Sequence, residues 1–213
     1  MKIETFKCRA SQLHNLMTNP TAAAIKKDET LSVATKSYLK KWLKEKIYGR
    51  EEQIYSKYFE KGIEMESEAI DFVGKVLNEP FLIKNNTRKN DEFFTGEFDA
   101  ETEDEIIDVK CSWDCFTFPL FEDEINKSYY AQGQVYMHLT SKKHYILAYC
   151  LMKTPERLIS DTENLDYYDY SCIPDNLRIK LYRFDYDVEF IEKAKERVIE
   201  SRIYIKKLED MIK

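Results

Sequence analysis

This sequence of 213 residues has little glycine or proline and no long apolar run. Glycine and proline number five each, which excludes a collagen-like or low-complexity chain. No segment approaches the roughly 20 apolar residues that a membrane-spanning helix needs, and the N-terminal segment has no uninterrupted apolar stretch. Because hydrophobic residues still make up 43% of the chain, we expect a compact, soluble, cytoplasmic protein with no membrane partner.

Cysteine is also scarce. The five cysteines are odd in number and irregularly spaced, which argues against a disulfide framework: Cys8, Cys111, Cys115, Cys150 and Cys172. Cys111 and Cys115 lie four residues apart, but no further Cys or His pair completes a zinc site. We therefore expect free thiols in a reducing compartment.

The net charge of −6 disfavours a protein that coats nucleic acid by bulk electrostatics. Local charge differs, since residues 36–50 contain six cations and a single anion, Glu45. Apolar residues at helical spacing and the following Gly49 predict a helix for this segment. Its cations are either a solvated helix face or a surface for an anionic partner.

The hydrophobic pattern predicts an order of helix, three strands, helix and strand, with helical additions at both ends. A second helix is expected from about residue 55 to 77, with an apolar stripe that includes Phe59, Ile63 and Val76. The further elements are strands at 80–84, 93–100 and 105–111, a helix at 124–140, strands at 144–152 and 177–183, and a last helix that begins near Asp187. The acidic, tyrosine-rich tract 156–175 is interpreted as a loop.

Two aspartates and a lysine carry the chemical signal. Asp99 ends one predicted strand, Asp108 lies on its hairpin partner, and Lys110 follows two residues later. The period of two along a strand places Asp108 and Lys110 on one face of the sheet. Carboxylates, with the backbone carbonyl of Val109, are ligands that Mg²⁺ prefers, and an adjacent ammonium suits phosphodiester hydrolysis. A surface strand can carry the same pattern by chance, although the apolar pair before Asp108 argues that these charges need compensation.

Glu66, on the preceding helix, is the third candidate carboxylate. Gly62 and Ala69 lie on the same side of that helix, which predicts that the helix approaches the sheet closely enough for Glu66 to reach the metal. A single helical glutamate is otherwise a solvated residue, so the prediction depends on the neighbouring groups.

These residues resemble the PD-(D/E)XK nuclease superfamily and, within it, the YqaJ-like viral recombinases typified by phage lambda exonuclease. Residues 129–142 read YYAQGQVYMHLTSK and are similar to the family's Y-x-A-Q-x-Q helix and T-x-K turn. Three further motifs occur in the family's order: Arg9-Ala10-Ser11, the GxxxExxA helix with Glu66, and the hairpin from Asp99 to Lys110. The resemblance covers nearly the whole chain.

The resemblance implies an α/β fold with the αβββαβ core, in which residues 1–213 form one nuclease domain. Residues 1–54 would form a helical region with the basic helix, 55–152 the catalytic core, and 153–213 the acidic loop, an extra strand and the C-terminal helix. The implied catalytic residues are Glu66, Asp99, Asp108, Lys110 and Gln132, and the implied metal ligands are Glu66, Asp99, Asp108 and the Val109 carbonyl. The cofactor would be Mg²⁺, for which Mn²⁺ can substitute, without an iron–sulfur cluster.

By the same resemblance, the substrate would be linear duplex DNA, degraded 5′ to 3′ to leave a 3′ strand for an annealing protein. Family members of this kind form trimeric rings around DNA, which would reconcile an acidic protein with a basic channel. The residues expected to bind DNA are Arg9, Ser11, Lys36, Lys40, Lys44 and Tyr129.

The sequence departs from the family at two positions. Asp108 stands where the family uses a glutamate, and Glu4 stands where lambda exonuclease has an arginine that binds the 5′-phosphate. Arg9 is the candidate to replace that arginine, and Ser11 is either the family serine or a plain helix N-cap.

Two other readings remain open. A RecB-type iron–sulfur nuclease needs clustered C-terminal cysteines, and only Cys172 follows Cys150. A noncatalytic DNA-binding module on the same fold would normally have lost a metal ligand, and each implied ligand is present here.

Overall fold

The computed structural model describes residues 3–22, 30–53 and 55–212. The helices are α1 (Leu13–Leu16), α2 (Val33–Tyr48), α3 (Lys57–Leu77), α4 (Lys127–Thr140) and α5 (Val188–Met211). The strands are β1 (Cys8–Arg9), β2 (Lys89–Asn90), β3 (Phe94–Gly96), β4 (Ala100–Glu101), β5 (Glu105–Cys111), β6 (His144–Cys150) and β7 (Ile179–Asp185). Within the described ranges, every helix is too short or too polar for a bilayer span.

The larger sheet has the strand order β4-β5-β6-β7, with β5 and β6 parallel and the outer pairs antiparallel. The smaller sheet has the order β1-β3-β2. Connecting the parallel strands β5 and β6 requires a crossover, and α4 provides it. Helix α4 is followed by Ser141 in the left-handed region, at φ 61°.

Helices cover both faces of the larger sheet. Side chains of α3, such as Ala69 and Val73, pack against Ile107 and Val109 of β5. Ile106 of β5 belongs to the other core, with residues of α1, α2, α4 and α5. Alternate residues of β5 therefore face opposite layers, which places Asp108 and Lys110 toward α4 and directs the side chain of Val109 toward α3.

The predicted order of elements is confirmed, but two of the predicted strands are wrong. Residues 80–84 form a turn with only an isolated bridge from Lys84 to Ala100. Leu82 is the residue of this turn that packs against the core below α3, while Phe81 and Ile83 are exposed. The run 93–100 divides into β3 and β4, which belong to different sheets. Propensity predicts extended backbone at both places, but tertiary pairing decides which residues form a ladder.

The boundaries of the other elements shift by a few residues, and the short strands β1 and β2 were not predicted. Within α3, Phe59 is 64% exposed and Ile63 is 59% exposed, so the predicted apolar stripe is wrong in the first half of that helix. The C-terminal stop of α2 is confirmed, since Gly49 adopts φ 63°. Asp187 accepts a hydrogen bond from Phe190 N and caps α5 as predicted.

The tract 156–175 contains three short 3-10 helices, at Glu156–Leu158, Leu165–Tyr168 and Asp175–Leu177. Tyr170 is buried in a small cluster with Phe118 and Leu151, so the tract packs against the protein. All five cysteines are free, as predicted.

Candidate active site

The site lies where β5 extends beyond its short neighbour. Strand β4 pairs only with Ile106 and Ile107 of β5. Beyond that pairing, Asp99 Oδ2 accepts a hydrogen bond from Val109 N at 2.7 Å. The Asp99 carboxylate thus takes the place of a partner strand, and this explains how an aspartate in the bend before β4 comes to lie beside Asp108 and Lys110.

Asp108 is almost fully buried, at 1% exposure. Its Oδ1 accepts a hydrogen bond from Gln132 Nε2 at 3.4 Å, and its Oδ2 forms an ion pair with Lys110 Nζ. Gln132 also donates to Tyr136 OH at 2.9 Å, and Tyr136 donates to Glu97 O at 2.9 Å. The helix α4 therefore anchors the carboxylate of β5 to the segment that leads into Asp99.

Gly96 is necessary for that anchoring. A Cβ atom at this position would lie 2.6 Å from Tyr136 Cε1 and 3.0 Å from Ala10 Cβ. Only glycine lets the Tyr136 ring lie against β3 while its hydroxyl reaches Glu97.

The buried carboxylate of Asp108, the half-buried carboxylate of Asp99 and the Lys110 amine share a small volume. Burial, followed by the charge of Asp108, raises the pKa of Asp99 to about 8. Burial by itself would lower the pKa of Lys110, but the carboxylates of Asp108 and Asp99 outweigh it and raise that pKa. Lys110 is therefore a cation at neutral pH, and the raised pKa of Asp99 means that its ionised form would be stabilised by an added cation.

Glu66 faces the same cleft from α3, where it forms an ion pair with Lys84 at 3.0 Å. The cleft has a volume of about 610 Å³. Its walls include Glu66, Asp99, Val109, Lys110 and Gln132, so the structure brings the predicted catalytic residues to one place, with Asp108 buried beneath them. The proposed reason for the approach of α3 is wrong at Gly62, because a Cβ there would meet no atom within 4 Å.

Among the described residues, no three His, Cys, Asp or Glu side chains stand in a ready metal-binding arrangement. The Asp99–Asp108 pair nevertheless fits a cation. Asp108 Oδ2 is paired with Lys110, and burial and the charge of Asp108 raise the pKa of Asp99, so an added cation would stabilise the ionised form of the pair. Hard oxygen ligands in this setting suit a divalent ion such as Mg²⁺.

The predicted DNA-binding residues fall in several places. Ser11 and Tyr129 line the cleft, and the Lys110 amine lies 5.3 Å from the centre of the Tyr129 ring. Ser11 lies inside a 3-10 helix that follows Arg9, so the N-cap interpretation is wrong. Arg9 forms an exposed ion pair with Glu51 at 2.9 Å.

Some of the cations of α2 lie in a second depression, with a volume of about 840 Å³. It is lined by four cations, Lys40, Lys41, Lys44 and Arg50, and by three acids, Glu45, Glu51 and Glu52. Lys36 instead lies 6.0 Å from the centre of the Tyr204 ring of α5. The structure thus groups Lys40 and Lys44 but directs Lys36 elsewhere.

Sequence reasoning missed Lys84 and Tyr136. Tyr136 follows Gln132 by one helical turn, so the spacing on α4 could have indicated it. Lys84 was assigned to a strand that does not form, and its contact with Glu66 spans two elements, so no local pattern could have indicated it.

Comparison with solved structures places this geometry in a family. The chain is similar to a phage-related exonuclease from Haemophilus somnus 129PT, with 33% identity, a TM-score of 0.89, and coverage of 99% of this chain and 98% of that one. The chain belongs to the phage-related, lambda-exonuclease-like family of PD-(D/E)XK nucleases. No protein-family model and no curated protein matches the sequence.

A more distant similarity supports the fold. The alkaline exonuclease LHK-Exo of Laribacter hongkongensis is 16% identical, with a TM-score of 0.66 and coverage of 97% of this chain and 93% of that one. Its complex with dAMP gives a TM-score of 0.68 at the same identity and coverage. This similarity concerns the fold alone, and the predicted PD-(D/E)XK core is confirmed.

Proposed function

We propose that this protein is a metal-dependent exonuclease that hydrolyses phosphodiester bonds of linear duplex DNA. The observation that carries the proposal is the pairing of the buried Asp108 with Asp99 and Lys110, at the open edge of β5, in a chain of an exonuclease family. Burying two carboxylates together is costly unless a cation compensates them, so their retention in the core supports a metal-dependent role.

The residues that would hold Mg²⁺, or Mn²⁺ in its place, are Asp99, Asp108 and the Val109 carbonyl. Glu66 would join them when its ion pair with Lys84 is broken. Such an ion would act as a Lewis acid: it would neutralise charge on the phosphate and lower the pKa of the attacking water. Lys110 is a cation beside both carboxylates and can orient that water or stabilise the negative charge of the transition state. Gln132 holds Asp108 in place through its amide.

The DNA contacts are part of the proposal. Ser11 and Tyr129 lie in the cleft and are placed to contact the strand being cut, whereas Arg9, Lys40 and Lys44 are exposed cations for the duplex backbone. Lys36 is the weakest member of the set, because it lies against α5. Digestion from 5′ to 3′, a 3′ strand for an annealing protein, a trimeric ring and a cytoplasmic location complete the proposed activity.

Recognition of a 5′-phosphate would depend on Arg9. Glu4, at the family arginine position, forms an ion pair with Lys46 at 2.6 Å. Arg9 is paired with Glu51, and both side chains are at least half exposed. An exposed ion pair of this kind is worth little, so a phosphate can displace Glu51 at small cost.

The test compares an end-labelled linear duplex with a sealed circle of the same sequence. We expect Mg²⁺-dependent loss of the linear duplex, 5′-terminal label released first, no nicking of the circle, and no activity with EDTA. The Lys110→Met variant is the matched control for contaminating nucleases. Cutting of the circle would favour an endonuclease, and an inert wild-type protein with either Mg²⁺ or Mn²⁺ would favour a noncatalytic DNA-binding module.

A further inference from the structure

A second charge is buried in this protein, away from the Asp99–Asp108 pair. Lys61 of α3 is 0% exposed. Its ammonium donates to Trp113 O at 2.9 Å, Met152 O at 2.7 Å and Thr154 Oγ1 at 2.7 Å. An ammonium has three N–H donors, and here each has an acceptor. Burial lowers the pKa of Lys61 to about 8, which reflects the desolvation cost that these hydrogen bonds offset.

The three acceptors belong to two different loops. Trp113 follows β5, three residues after Lys110, whereas Met152 and Thr154 follow β6. Thr154 Oγ1 also donates to Trp113 O at 2.9 Å, so one backbone carbonyl receives two hydrogen bonds. Lys61 thus ties the first half of α3 to the loops that leave the two central strands of the larger sheet.

The Trp113 side chain forms one wall of the cleft. Its ring makes edge contacts with Tyr58 of α3 at 5.2 Å and with Tyr168 at 5.8 Å. Lys57 lies over the same ring at 4.4 Å from its centre. Because Tyr58 and Lys57 precede Lys61 on α3, an anchor at Lys61 fixes both the wall and the helix that faces it.

Glu66 lies on α3 with Lys61, but the other two carboxylates of the metal-ligand set do not depend on this anchor. Asp99 is held by Val109 N, and Asp108 by Gln132 and Lys110. Loss of the Lys61 contacts would therefore leave that group in place while freeing the Trp113 loop from α3.

We propose that Lys61 is a positioning residue that sets the width of the DNA cleft by holding the Trp113 wall against α3. The assignment rests on the proposed function, since the cleft is taken to bind a DNA strand. It concerns substrate binding and not the reacting atoms. Loss of the Lys61 contacts should weaken binding of a large substrate that touches the Trp113 wall. It should not affect a small phosphodiester that reaches only the metal-ligand group.

The experiment compares Thr154→Val, which removes one acceptor at nearly constant volume, with Thr154→Ser, which keeps the hydroxyl. Lys61→Met is the stronger variant, and the Thr154 pair decides the outcome if that variant fails to fold. Steady-state kinetics are measured on linear duplex DNA and on the p-nitrophenyl ester of thymidine 5′-monophosphate. Iodide quenching of Trp113 is measured in a Trp42→Phe background, where Trp113 is the remaining tryptophan.

For Thr154→Val we expect the KM for duplex DNA to rise about fivefold, the equivalent of one hydrogen bond, with kcat nearly unchanged. Lys61→Met should raise it further. Trp113, which is 7% exposed, should become more accessible to iodide. The small ester should keep its kcat/KM, and Thr154→Ser should follow the wild-type protein in each measurement.

An equal loss of kcat/KM on duplex DNA and on the small ester would mean that Lys61 has a purely structural role, and it would overturn the proposal. Unchanged KM and unchanged quenching in Thr154→Val would also overturn it. If the wild-type protein digests no DNA, the proposed function fails, but the iodide measurement still decides whether Lys61 and Thr154 hold the wall.

Discussion

The cleft and the basic face of α2 both hold cations suited to DNA, but they hold them differently. In the cleft, Lys110 is packed against the buried Asp108 and the Tyr129 ring. On α2, Lys41 pairs with Glu52 while both side chains remain largely exposed. The buried set has one geometry, whereas exposed ion pairs can exchange partners at little cost. Carboxylates and an amine grouped in the cleft therefore support a reaction centre there, whereas the exposed charge of α2 only indicates a surface for an anion.

The largest expected effect is that of replacing Lys110 or Asp108, because it should remove hydrolysis in the cleft and leave binding by α2 intact. Replacement of Lys110 by Ala, or of Asp108 by Asn, should reduce DNA hydrolysis by at least about 10³-fold, since each group would act directly on the charge that develops at the reacting phosphate. Duplex binding should persist, because the basic face is intact. The measurements are single-turnover hydrolysis and binding in Ca²⁺. The matched control is Lys193→Ala, an exposed lysine of α5, which should hydrolyse DNA like the wild-type protein.

Much of this comparison could be predicted from the sequence. Asp108 and Lys110 share a face because a strand has a period of two. Glu66 was predicted from its position on a helix, and Gln132 from the family resemblance. The Asp99 contact with Val109 N could not be predicted, because it depends on β4 beginning only at Ala100. The ion-pair partners of Arg9 and Glu66 could not be predicted either, because Glu51 and Lys84 lie on segments whose placement depends on tertiary packing.

A second prediction concerns protons in the cleft. Burial and the Asp108 charge raise the pKa of Asp99 to about 8, above its unfolded value of about 4. The folded protein therefore holds an extra proton between these values, and its stability falls as pH rises through that window. In EDTA, we expect the melting temperature of the wild-type protein to fall from pH 5 to pH 8 more steeply than that of Asp99→Asn.

The same proton must leave when a cation binds. Apparent Mg²⁺ affinity should rise by about tenfold per pH unit below pH 8 and level off above it, if one proton is released. Calorimetry in buffers of different ionisation enthalpy measures the release. An affinity that is independent of pH between 6 and 8 would contradict the view that Asp99 is a protonated ligand.

A smaller effect is expected on the basic face. Lys44→Ala should weaken duplex binding and reduce the slope of log affinity against log salt by about one, the signature of one lost phosphate contact. The rate of hydrolysis within the bound complex should not change. Salt titrations of binding in Ca²⁺ give the slope. An unchanged slope in Lys44→Ala would mean that the cations of α2 are a solvated helix face that does not contact DNA.

The smallest effect is expected at the Arg9–Glu51 pair. Glu51→Gln frees Arg9 and should raise affinity for a 5′-phosphorylated duplex by at most about fivefold, because an exposed ion pair contributes about 1 kcal/mol or less. The gain should be smaller for a duplex with a 5′-hydroxyl. Equal gains for both ends would mean that Arg9 contacts the backbone without recognising the terminal phosphate.

The central claim is that Asp99, Asp108 and Val109 form the ligand set of one divalent ion beside Lys110. A crystal grown with Mn²⁺ tests it directly through anomalous scattering. We predict a single strong peak bound by the Asp99 and Asp108 carboxylates and the Val109 carbonyl, and its loss in Asp99→Asn. A peak elsewhere in the protein, or an ordered cleft in which Lys110 still holds Asp108 and no ion has entered at millimolar Mn²⁺, would contradict the account.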